Sequence, residues 1–289
     1  MKAYWKMLRR LISHPNYGLE LAREFQIRHI WWGSRCCLKC WEVWGQHTHK
    51  TAKTGVRSLK CSHCKKIYSE FYGTLFYRTK IPIHKWMRLI LEWSISTWSI
   101  SAAEAARKLE IHHTSAWNMM ICIWKLLHKT NNSELLFWIV EADEAWMGKK
   151  ENQDIIMGMV ERWKRKLHLY PIENVQEKTL YPLIKENVEY GSKFFTDMRV
   201  SYHTTSIRYL HWTTNHSKWE FARWEVHSNT IEQIWGDIKW IIRTIHHWVS
   251  KKYRQYYLAL YTAKYENIKL NDLFYFTLDK ILRPPCSII

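Results

Sequence analysis

A chain of 289 residues with 47% hydrophobic and 24% charged side chains is long enough for two packed domains and too apolar to be disordered. Its 44 Lys+Arg against 26 Asp+Glu leave a formal charge of +18, which calls for a polyanionic partner, nucleic acid first. The longest run free of Asp, Glu, Lys and Arg, Ile111 to Trp124, is too short and too polar to span a bilayer, so no membrane role is expected.

Met1 to Pro15 has no continuous apolar stretch of the secretory kind; its basic, acid-free character leaves a mitochondrial presequence open. Seven cysteines, an odd number without an export signal, favour thiols or metal over disulfides. Residues 1–136 hold 22 Lys+Arg against 8 Asp+Glu, a net of +14, and no Asp; the rest carries only +4 and every Asp. A basic binding front and a near-neutral chemical back would divide this way. The 19 Trp beside 9 Gly and 6 Pro have no physical account.

In chain order, the first strong signal is Cys37-Leu38-Lys39-Cys40 followed by Cys61-Ser62-His63-Cys64. Two C-x-x-C turns twenty residues apart predict a four-cysteine Zn²⁺ site, the segment between them forming the hairpin of a zinc ribbon. Cys36, His47, His49 and His63 are weaker alternatives as ligands. Lys39, Lys60, Lys65 and Lys66 favour the thiolate form and face phosphates. After a turn at Tyr72-Gly73-Thr74, a helix from Ile81-Pro82 should bury Trp86, Leu89, Ile90 and Trp93. Ser101-Ala102-Ala103-Glu104 has the form of a capping box, opening a helix to about Leu109. Thr114 is expected to cap the next helix, with Trp117, Met120, Ile121, Trp124 and Leu127 on its apolar stripe. Two helices joined by a short turn suggest a helix-turn-helix whose second member shows Ser115, Asn118, Met119 and Lys125 to a DNA groove.

From Phe137 the pattern turns to strands. Phe137 to Val140 runs into Glu141-Ala142-Asp143-Glu144; Ile155 to Val160 and Lys166 to Ile172 follow. Then come a helix over Thr179 to Val188 and a strand Lys193 to Thr196 ending at Asp197. A closing helix from about Thr230 places Ile231, Ile234, Trp235, Ile238, Ile241, Ile242 and Ile245 on a 3.6-residue period. Three strands, a helix, a strand and a helix predict an RNase H-like α/β layer. Asp143 and Asp197 fall at strand ends and Glu232 in the first turn of the closing helix, where carboxylate oxygens would suit hard divalent cations. Lys239, two turns past Glu232 on the same face, would reach a phosphate. Glu141, Glu144, Asp154 and Asp237 are expected to be solvated. We expect a helical segment over 1–34, the ribbon over 35–78, the helix-turn-helix over 79–132, the RNase H-like catalytic domain over 133–275 and a tail over 276–289.

These motifs together resemble the bacterial insertion-sequence transposases related to the eukaryotic Merlin elements, with an ISXO-like transposase domain. The match takes in the paired cysteines, Gly73-Thr74, Lys80-Ile81-Pro82, Lys85-Trp86, Thr114 to Trp117, Asp143-Glu144 with Gly148-Lys149, Thr196-Asp197 with Tyr202, and Asn215-His216-Ser217. Its most specific stretch is His227 to Glu232 with Trp235 and Lys239; Val249-Ser250 and Tyr257 follow. The resemblance implies a D-D-E transposase with Asp143, Asp197 and Glu232 as the triad, 34 residues separating the last two. It also implies two Mg²⁺ (or Mn²⁺) ions, one structural Zn²⁺, double-stranded DNA as partner, and a homodimer or larger assembly on DNA. Lys149 and Ser201 stand where the family usually has glycine. The alternatives are a domesticated or decayed copy that only binds DNA, and a structure-specific RNase H-like nuclease. The compartment follows the host: cytoplasm or nucleoid in a bacterium, nucleus in a eukaryote.

Overall fold

A computed structural model of the chain describes residues 2–30, 36–37, 39–43, 45–130, 134–148, 153–197, 205–214, 228–247, 249–267 and 270–283. Two units emerge, one of residues 1–126 with 269–289 and one of residues 127–268.

In the first unit, α1 (Lys2–Ser13) turns Leu8 and Leu11 inward and leaves Lys6, Arg9 and Arg10 exposed. Pro15 opens α2 (Pro15–Phe25), where a missing N–H costs nothing. Both pack on α3 (Ile83–Ile95), which buries Trp86, Leu89, Ile90 and Trp93 as the period predicts. A Cβ on Gly18 would come within 2.5 Å of the His84 backbone, so this glycine permits the close approach of α2 to α3. The C-terminal helix α9 (Leu270–Leu282) also packs on α2 and α3, and residues 276–282, expected as tail, are its last turns.

Between α2 and α3 lies an antiparallel sheet of β1 (Gln46–Thr51), β2 (Arg57–Cys61) and β3 (Ile67–Ser69). The buried Glu70 closes it, accepting from Arg57 N at 2.7 Å and from the forked guanidinium of Arg23 on α2 at 2.7 and 2.8 Å. The Ser101 hydroxyl accepts from Glu104 N and starts α4 (Ala102–Leu109), as its capping box predicts. Glu110 then adopts a left-handed conformation, and α5 (His113–Thr130) begins after His112, whose Nδ1 accepts from Thr114 N at 3.3 Å. Thr114 is therefore the second residue of the helix, and His112 takes the capping place expected for it.

The second unit is a five-stranded sheet in the order β6-β5-β4-β7-β8. Its strands are β4 (Ile139–Met147), β5 (Asp154–Glu161), β6 (Lys166–Ile172), β7 (Lys193–Asp197) and β8 (Leu210–Thr214). β4, β5 and β6 form an antiparallel meander, while β7 runs parallel to β4 and β8 parallel to β7. The three strands, helix, strand and closing helix expected from the sequence are all present, with β8 added at the edge. On one face α6 (Glu177–Asn187) sets Leu180 and Ile184 against Val140, Ala142, Met157, Met159 and Phe194. On the other, α7 (Asn229–Thr244) lies over β4 and β5 and α8 (Lys251–Glu266) over β6. Ile231, Ile234, Trp235, Ile238 and Ile241 form the buried stripe of α7. Among the described residues, no helix is long and apolar enough to cross a membrane.

Candidate functional site

The four expected cysteines come together in the first unit. Sγ of Cys37, Cys40, Cys61 and Cys64 all lie within 4.8 Å of one another. Cys37 to Cys64 is 3.6 Å and Cys40 to Cys61 is 3.7 Å. A zinc ion about 2.3 Å from each sulfur would space them about 3.8 Å apart, so the donor set fits one tetrahedral ion.

The backbone repeats itself around the two pairs. Trp41 N donates to Cys37 O and Cys37 N to Glu42 O; Lys65 N donates to Cys61 O and Cys61 N to Lys66 O. Trp41 (φ 59°) and Lys65 (φ 58°), each just past its second cysteine, are both left-handed. Two equivalent knuckles thus aim two sulfurs each at a common point. His47 and His63 are exposed and stand outside the cluster with Cys36. Lys66 is exposed; Lys65 is too, its ammonium folding back to donate to Ser62 O.

On α5, Asn118 and Lys125 are exposed and Ser115 is half-buried. Met119, expected to face a groove, is buried at 1% exposure. The helix packs on more than one side, burying Ala116, Met119 and Ile123 beside the expected Met120, Trp124 and Leu127.

In the second unit, Asp143 lies in the middle of β4 rather than at its end. The strand continues to Met147 because β5 pairs along its whole length, Asp143 opposite Gly158. On the other side β4 pairs with β7 from Ile139–Lys193 to Glu141–Phe195, and continuing that register sets Asp143 level with Asp197, the last residue of β7. Glu232 is in the first turn of α7, exposed, and accepts from Ser228 Oγ at 2.7 Å. Trp235, one turn on, donates its indole Nε1–H to Asp143 Oδ2 at 3.2 Å. Lys239 is exposed on the same helix. Thr196, just before Asp197, contacts His211 Nε2 at 2.8 Å, and His211 Nδ1 meets Thr205 Oγ1 at 3.1 Å. Burial lowers the His211 pKa to about 4, so the ring is neutral near pH 7. Lys149, Ser201, Tyr202, Asn215 to Ser217 and His227 lie outside the described residues.

The acidic residues expected to be solvated are not. Glu141 is fully buried, ion-paired with Arg162 Nε, and its two oxygens also accept from Thr230 Oγ1 (2.7 Å), Thr230 N (2.9 Å) and Ile231 N (3.0 Å). It therefore binds the orphan amides that open α7, where an anion also meets the favourable end of the helix dipole. Asp154 is buried between Arg254 and Lys251 of α8. Glu144 is buried on the opposite face of β4. Asp237 is half-buried and accepts from Tyr261 OH at 3.2 Å, burial raising its carboxyl pKa. No local pattern announces these roles, since every named partner is distant in sequence.

Residues 138–262 are similar to the family model of the ISXO2-like transposase domain, and Asp143, Asp197 and Glu232 fall within the matched segment. No curated protein matches the chain. Among solved structures it is similar to the catalytic core domain of BIV integrase, at 14% identity and TM-score 0.30, over 42% of this chain and 80% of that one. It is similar to the simian T-cell lymphotropic virus intasome in complex with the PP2A regulatory subunit B56 gamma, at 15% and 0.35, over 60% and 70%. The HTLV-2 integrase catalytic core domain in complex with magnesium follows at 13% and 0.28, over 50% and 84%.

Proposed function

We propose, from the match of residues 138–262 to the ISXO2-like transposase domain, that the chain binds the inverted ends of its own mobile element, cuts them, and joins them to target DNA. The observation that carries this reading is the contact of α7 with β4 inside the matched segment. Trp235 reaches Asp143 from the same helix that bears Glu232, and Asp197 ends the neighbouring strand at the level of Asp143.

Asp143, Asp197 and Glu232 are all carboxylates, the donor type hard divalent cations require, and they would hold two Mg²⁺ or Mn²⁺ ions. When bound, those ions supply charge stabilisation at the attacked phosphodiester. The chain's own residues set the geometry: Trp235 orients the Asp143 carboxylate, Ser228 orients Glu232, and Lys239 pairs with a DNA phosphate. Water and then the freed 3′-hydroxyl serve as nucleophiles, so no covalent bond between protein and DNA is needed.

In the first unit the four cysteines hold one structural Zn²⁺. The ribbon, through Lys65 and Lys66, and α4–α5, as a helix-turn-helix with Ser115, Asn118 and Lys125, contact duplex DNA. Because two element ends are processed together, the working form on DNA is a homodimer or larger. The test is Mg²⁺-dependent nicking of a duplex carrying the element's end. Asp197→Asn should abolish it, and cleavage at the wild-type rate by that variant overturns the assignment.

A further inference from the structure

Each of the three carboxylates has a distinctive residue two positions before it in its own element. Glu141 precedes Asp143 on β4, Phe195 precedes Asp197 on β7, and Thr230 precedes Glu232 on α7. On a strand, positions two apart share a face, so Glu141 and Phe195 lie one layer behind the aspartate positions.

One side chain from outside those elements ties this layer together. Arg162, just beyond β5, makes the ion pair with Glu141, and its guanidinium carbon stands 4.8 Å from the centroid of the Phe195 ring. Glu141 in turn holds Thr230 through amide and hydroxyl and Ile231 through its amide. The linked set touches all three elements that bear the triad.

We propose that Arg162, Glu141 and Thr230 are positioning residues that set where the three carboxylates stand, a role that rests on the transposase reading above. A fully buried carboxylate is costly unless each oxygen is satisfied, and an apolar group of the same size would fill the space at least as favourably. What the ionic arrangement adds is register. Sliding α7 by one residue would move Glu232 by about 1.5 Å and turn it by about 100°, and would take both amides off Glu141. Arg162 also offsets the Glu141 charge, so that the layer behind the triad adds no repulsion to the carboxylates in front.

The test uses the full chain, with terbium as a hard-cation probe whose emission is sensitised by nearby tryptophan, here Trp235 against Asp143. The variants are Arg162→Met, Thr230→Val, Thr230→Ser and Glu141→Gln, with thermal unfolding recorded for each. Arg162→Met and Thr230→Val should weaken terbium binding about 10- to 100-fold, the usual effect of losing an outer-shell partner. They should lower kcat for end nicking by a similar factor with KM for DNA unchanged, and Thr230→Ser should restore both. Terbium affinity and kcat within twofold of wild type in both variants overturn the proposal, whatever the melting temperature does. If wild-type protein neither nicks nor binds terbium through Asp143, the transposase reading falls first. Amide exchange then judges the clamp: Glu141→Gln should lose protection at Thr230 and Ile231, and unchanged protection there overturns it.

Discussion

Trp235 meets Asp143 only because residue 158 has no side chain. A Cβ there would lie 2.5 Å from the Trp235 ring and 2.8 Å from Ile231 Cδ1, and Gly158 is the residue paired with Asp143 across the β4–β5 ladder. Gly158→Ala should therefore lift α7 off the sheet, destabilising the domain by about 1–3 kcal/mol as over-packing does. Trp235→Phe removes the indole hydrogen bond and leaves part of the space against Gly158 unfilled, so it should cost more than the about 0.5–1.5 kcal/mol of the hydrogen bond alone. Chemical denaturation measures both. Nicking should suffer in both, and a Gly158→Ala protein with wild-type stability would contradict the close packing of α7.

The strands bounded by clean alternation or by turn residues were legible: β6 runs over Lys166–Ile172 and β7 ends at Asp197, as read from the sequence. β4 was not, because Glu141-Ala142-Asp143-Glu144 looks like a strand running out into solvent. In fact Glu141 and Glu144 are buried on opposite faces, and Glu141 is satisfied by residues 21 and 89 positions away. β8 (Leu210–Thr214) was missed because the run is short and its two apolar residues, Leu210 and Trp212, face outward, its parallel partner β7 supplying the reason to be a strand. Likewise Met119 was assigned to the outer side of α5 on the assumption of a single buried stripe. The candidate carboxylates could be named from the sequence; the residues that hold them could not.

The cysteine cluster predicts one zinc per chain. Cys61 is fully buried, so Cys61→Ser removes a ligand from a site that closes the ribbon, and thiolate–zinc binding contributes directly to such folds. The variant should purify without stoichiometric metal and lose the structure of β1–β3, while the second unit keeps its own unfolding transition. Elemental analysis of wild-type protein that finds no zinc sinks the ribbon assignment.

DNA affinity should fall steeply with salt, because Lys and Arg release counterions from phosphates. For full-length protein, Lys66→Ala and Lys125→Ala should each flatten the slope of log K against log salt by about one unit or less. Asn118→Ala, by contrast, removes an uncharged group suited to base edges and should relax sequence preference with the slope unchanged. A salt slope identical to wild type in the double lysine variant would remove both residues from the interface.

His168 gives the second unit a pH dependence. Burial lowers its pKa to about 4, and its Nδ1 lies 2.9 Å from Asn187 Oδ1, which also accepts from Tyr170 OH. An oxygen in that place needs a donor, so the neutral ring carries its proton on Nδ1. The unfolded chain binds a proton near pH 6.5 and the folded one does not until about 4. Stability should therefore be full above about 6.5 and decline as pH falls to about 4, by up to about 1.4 kcal/mol per pH unit from this group. Urea unfolding between these limits should show the slope, and His168→Gln should reduce it.

Glu232 and Lys239 share one helix yet should fail in different ways. Glu232 is exposed, oriented through its 2.7 Å contact with Ser228 Oγ, and is proposed as a cation ligand; Lys239 is exposed two turns later and proposed as a phosphate contact. Glu232→Gln should raise the Mg²⁺ concentration needed for half-maximal nicking and leave DNA affinity intact. Ser228→Ala should shift the Mg²⁺ requirement in the same direction by less, since the carboxylate remains and only its orientation loosens. Lys239→Ala should leave the Mg²⁺ requirement alone and raise KM for end DNA, with a weaker salt dependence. Parallel Mg²⁺ and DNA titrations of the four proteins separate the two roles. A Lys239→Ala variant whose defect disappears at high Mg²⁺ would place that lysine at the cations rather than at the DNA.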